Sequence, residues 1–179
     1  MSDKPEVWLR GPIDGFEPLL MPAVHALLQV REDLAMLADT VPAEHVWMRA
    51  GRAASIGFHV RHLGGALDRL LTYARGDALS TAQRMFLQQE GVPGEPPATL
   101  GQIVGETDET IARALEQLRA TDVTTLGEIR RVGRAELPAT VIGLLFHAAE
   151  HSTRHMGQAI TTARVLAAAR GEKQIGGKG

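Results

Sequence analysis

Residues 144–159 read LLFHAAEHSTRHMGQA, and they place three of the chain's seven histidines, His147, His151 and His155, four residues apart. A spacing of four is a helical spacing, so one helix carries a ladder of imidazoles along one face. At 100° per residue the three side chains fan over about 80°, which lets all of them address one groove. His147 and His155 are nonetheless separated by a rise of roughly 12 Å. A metal–imidazole bond is about 2.1 Å, so one ion takes an adjacent pair and not both ends of the ladder. The pair lacks the His-Glu-x-x-His order of zinc peptidases, because Glu150 precedes His151.

A zinc-like site takes at least three protein ligands, so a third donor has to come from another segment. The stretch GFHVRHLGGALDRL supplies His59 and His62, and His25 lies on the apolar side of an earlier helical pattern. Metal sites in helical bundles draw side chains from facing helices, so any of these can meet the ladder.

The rest of the chain agrees with a helical scaffold. Leu20, Val24, Leu27, Leu28, Leu34 and Leu37 keep helical steps between Pro18 and Asp39, with Pro18 and Pro22 confined to the first turn. Ser55 opens a second segment to about Tyr73, carrying Ile56, Leu63, Leu67, Leu70 and Leu71, with Gly76 as its stop. A short helix fits near Gln83–Gln89, and GVPGEPP reads as loop. Thr99 and Gln102 form a capping box ahead of Ile103, Val104, Ile111, Leu115 and Leu118. Pro138 is expected at the first position of a last helix running to Arg170. DVTTL is the segment nearest to a strand. The fold class is therefore all-α, a four-helix bundle in one domain over residues 1–171, with residues 172–179 expected to be a disordered tail.

Composition narrows the chemistry. The 179 residues include no cysteine, which removes disulfides, thiolate zinc sites and a cysteine nucleophile together. A formal charge of −2 gives no electrostatic reason to expect nucleic acid or an anionic membrane. No apolar run reaches the ~18 residues of a bilayer span, and the first residues lack a signal-peptide apolar core, so a cytoplasmic location is expected.

Three stretches, WLRGPIDGFEPLLMPAVHALLQ, SIGFHVRHLGGALDRLLTYARG and LPATVIGLLFHAAEHSTRHMGQ, together resemble the DinB-like (DinB/YfiT) family of metal-dependent proteins. The most specific element is the closing His-x-x-x-His-x-Gly-Gln, here HSTRHMGQ. The resemblance implies an up-down-down-up bundle, a homodimer, and one divalent ion held by His62, His151 and His155, with His59 the alternative to His62. It also implies a small-molecule substrate, with low-molecular-weight-thiol transferases and isomerases among the activities. A ligand set of three imidazoles suits zinc or nickel first, with manganese, iron and cobalt also compatible. His147, His59, Gln158 and His25 are expected to line the pocket or support the ligands. No residue is assigned as catalytic. Metal-dependent hydrolysis is the alternative activity, and a metal-containing binding module is the alternative to an enzyme. Glu150 and Arg154 read as a surface ion pair, and Gly64, Gly65 and Gly157 as points of close helix approach.

Overall fold

Apolar stripes at helical spacing, closed off by capping side chains, decide most of the architecture. The computed structural model describes residues 4–171. It contains five α-helices, α1 Met21–Thr40, α2 Ile56–Ala74, α3 Thr81–Gln89, α4 Leu100–Ala120 and α5 Val141–Ala169, and one hairpin, β1 Ile129–Val132 with β2 Leu137–Thr140. More than half of the chain is helical. The expected tail at 172–179 lies outside the described residues.

Each helix start has its side-chain cap where the sequence offers one. Ser55 Oγ accepts from the Phe58 amide at the head of α2. Ser80 with Gln83, and Thr99 with Gln102, form complete capping boxes at α3 and α4. Such caps satisfy amides that have no partner inside the helix and typically contribute about 1 kcal/mol each. Pro18 sits in a short 3-10 turn, Pro18–Leu20, and Pro22 in the first turn of α1, where no amide is missed.

Helices α1 and α2 each pack against both α4 and α5, and α3 leans on α2. The core between them is continuous, from Val24, Leu27 and Leu34 of α1 through Val60, Leu63 and Leu67 of α2 to Ile111 of α4 and Leu144, Met156 and Ala159 of α5. Much of the buried face of α5 is small: Ala148, Ala149, Ser152, Ala159 and Ala163. Gly64 sits under α4, where an added Cβ would come within 3.1 Å of Thr107 Oγ1. No helix of the described residues is long and apolar enough to cross a membrane.

Two expectations are corrected. Pro138 does not start the last helix; it lies in β2, opposite Arg131, and α5 begins three residues later behind Thr140. Thr140 accepts from the Gly143 amide, so a true N-cap outcompetes the preference of proline for a first turn. A two-stranded ribbon has only edge strands, where proline is tolerated. DVTTL forms a 3-10 turn, Val123–Thr125, in place of a strand, because Asp122 accepts from both the amide and the hydroxyl of Thr124.

Candidate metal centre

The site forms where the first half of α2 faces the middle of α5. His59 and His62 lie on adjacent turns of α2, and His151 and His155 on adjacent turns of α5. One ligand-capable atom from each of His62, His151 and His155 falls within 4.8 Å of the others, an arrangement that could hold a metal ion. The ring centroids of His62 and His155 are 4.4 Å apart, and those of His151 and His155 4.5 Å.

The surroundings lower the proton affinity of His151 and His155 and so favour the neutral form, which is the form that ligates. Burial first, and then the neighbouring His62 imidazole, push His155 down to about 3, with His151 and His59 adding to the effect. Burial also lowers His151, helped by His147 and His62. His59 is lowered by burial and then by His62. His151 Nδ1 is buried with no hydrogen-bond partner. Unpaired buried polar atoms are uncommon, and a cation held among the three imidazoles would give this one a partner. The donor set therefore fits a divalent ion.

A support layer surrounds the triad. His59 is 7% exposed, and its Nδ1 lies 3.1 Å from His155 Nδ1. Phe58 stacks on His62 at 5.2 Å and 13°. His62 Nδ1 lies 2.7 Å from Oε2 of Glu90, a carboxylate that is 2% exposed and also accepts from Arg69 Nη1 at 2.6 Å. Sequence reasoning missed Glu90, which caps the C-terminus of α3 and lies 28 residues beyond His62. The neighbouring glycine was the available signal. A Cβ at Gly65 would meet Glu90 Oε1 at 2.3 Å and Arg69 Nη1 at 2.8 Å.

The other candidates fall outside the triad. The His147 ring is 5.4 Å from that of His151 by centroids, but its side chain is 49% exposed and faces Glu150 at 3.4 Å. Gln158 is exposed. His25 bonds through Nε2 to the Gly11 carbonyl and lines a surface hollow with Trp8 and Phe16, remote from the cluster in its contacts. Glu150 is bound to Arg154 at 2.5 Å, the expected surface pair. Gly157, expected at a close helix approach, is exposed, and a Cβ there meets nothing within 4 Å.

The family model described as DinB superfamily matches residues 26–159, a span that runs from α1 to His155 and just beyond. The chain belongs to the DinB superfamily. The match includes all three triad histidines, both supporting residues His59 and Glu90, and the Arg69 partner. No curated protein matches the chain.

Proposed function

We propose that this DinB-superfamily protein is a divalent-metal-dependent enzyme that uses His62, His151 and His155 as ligands and acts on a small molecule, with a low-molecular-weight thiol as cosubstrate. The observation that carries the proposal is the convergence of three imidazole nitrogens within 4.8 Å, two of them on rings whose proton affinity is lowered by burial. Three neutral protein ligands leave coordination positions open, as in catalytic sites and unlike closed structural ones. When bound, the ion would polarise a carbonyl or lower the pKa of a coordinated thiol or water.

The protein's own part is to hold donors rigid and unprotonated. Phe58 and Glu90 fix His62, and His59 fixes His155. Hydrolysis is less well served, because it calls for a free carboxylate base beside the site. Glu150 is occupied by Arg154 and His147, and Glu90 by His62 and Arg69. Transfer or isomerisation with a thiol that arrives on the cosubstrate needs neither carboxylate, and it suits a chain without cysteine. The reading extends to zinc or nickel as the ion, an up-down-down-up helix order, a cytoplasmic homodimer and a role for His147 beside the open positions.

The test is metal analysis of untagged protein, followed by transfer assays with several cellular thiols on an electrophilic substrate. One equivalent of metal and a metal-dependent, thiol-dependent rate are expected. Metal-free protein that stays metal-free when titrated with zinc or nickel would end the proposal.

A further inference from the structure

We infer that Glu90 is a positioning residue for the metal centre, keeping the proton of His62 on Nδ1 so that Nε2 is the ligating nitrogen. The inference rests on the three-histidine reading above. An ionised carboxylate only accepts hydrogen bonds, so the 2.7 Å contact between Glu90 Oε2 and His62 Nδ1 requires the proton on Nδ1. A neutral imidazole carries one such proton, which leaves the Nε2 lone pair free. Phe58, stacked on the ring at 13°, restrains its rotation from the flat side.

The placement of Glu90 is not explained as core packing. Helix α3 has no buried residue of its own, yet the residue that ends it is 2% exposed. Burying a carboxylate is costly unless every oxygen finds a partner. Here one oxygen takes Arg69, itself 8% exposed, and the other takes the metal-site histidine. Gly65 leaves the space in which that pair meets. Gln83 ties the start of α3 to α2 through Asp68 and Thr72, at 2.7 and 2.8 Å, so the helix is moored at both ends with Glu90 directed inward. Carboxylates that hold ligating histidines in this way set ring orientation and ligand basicity, and their loss typically costs about 10- to 100-fold in metal affinity.

The decisive measurement is the tautomer of His62 in 15N-labelled, metal-free protein, read from two-bond proton–nitrogen correlations, with zinc titrations alongside. The wild-type chain should show His62 protonated on Nδ1. In Glu90→Gln the single amide oxygen goes to the charged Arg69 and the NH2 group faces His62. That moves the ring proton to Nε2 and weakens zinc by about 10- to 100-fold. Adding Arg69→Met releases the amide oxygen to His62, so R69M/E90Q should recover the Nδ1 proton and most of the affinity, a rescue that a purely structural role does not give. Wild-type His62 protonated on Nε2, or E90Q binding zinc as tightly as wild type, overturns the inference while leaving the triad intact. Wild-type protein that binds no zinc overturns the triad reading itself, and with it any metal role for Glu90. If E90Q does not fold, the wild-type tautomer alone decides.

Discussion

His59 Nδ1 and His155 Nδ1 lie 3.1 Å apart across the α2–α5 seam. Two neutral imidazoles can share such a contact only if one ring presents a proton and the other a lone pair. With His155 Nδ1 as donor, its Nε2 is left to ligate, matching the state that Glu90 imposes on His62. The turns that carry His62 and His155 are thus each backed by a buried polar side chain from another element, Glu90 and His59 respectively.

This arrangement separates the two histidines of α2. His62→Ala removes a proposed ligand and should abolish stoichiometric zinc. His59→Ala should keep a full equivalent and lose about 10- to 100-fold in affinity, the usual cost of a lost supporting contact. Isothermal titration of folded variants distinguishes them, and the reverse ranking would make His59 the ligand.

The lowered proton affinities make the stability of the metal-free protein depend on pH. His155 is pushed to about 3, and His151 and His59 are also lowered, against an unfolded value of about 6.5. Below about 6.5 the unfolded chain takes up protons that the folded chain refuses, so unfolding becomes easier as pH falls. Above that value these groups add no slope. Urea midpoints of metal-free protein should hold steady from pH 8 to 7 and drop progressively towards pH 4.5. A flat profile across that lower range would show that the rings titrate normally and are not buried as described.

The ladder was legible because helical spacing alone places His151 and His155 on one face, and the helices because their apolar stripes and caps are local. Glu90 was not legible, since its contact with His62 depends on how α3 folds back on α2, which no short window of sequence encodes. Pro138 misled for a related reason. Proline and Thr140 both fit a helix start, and the choice was made by the pairing of Leu137–Thr140 with Ile129–Val132, a contact that forms across a turn. Gly157 looked equivalent to Gly65 by sequence, but one faces open space and the other a buried ion pair.

That contrast gives a third prediction. Gly65→Ala puts a methyl 2.3 Å from Glu90 Oε1 and 2.8 Å from Phe86 Cε1. Overpacking of this kind costs about 1–3 kcal/mol, and here it should also weaken zinc by disturbing Glu90. Gly157→Ala meets nothing and replaces a glycine inside α5, so it should raise stability by up to about 1 kcal/mol. Chemical denaturation gives both values. Equal effects at the two positions would mean that the close approach at Gly65 is not there.

The last prediction concerns the outer end of the ladder. His147 stands one turn before His151, half exposed and turned to Glu150, and Glu150 in turn is held by Arg154. Solvent screens an exposed pair of this kind, so Glu150→Gln should barely change stability. If the ion is bound by His62, His151 and His155, then His147→Ala should retain a full equivalent of zinc with an affinity within a few-fold of wild type. Its removal takes away one of the causes that lower His151, so His151 should protonate at slightly higher pH than in the wild type. Glu150→Gln should likewise leave any thiol-transfer rate within a few-fold of wild type, because no proton has to pass through that carboxylate. A loss of a hundredfold or more in rate, with metal content unchanged, would instead identify Glu150 as a base and favour hydrolysis over transfer.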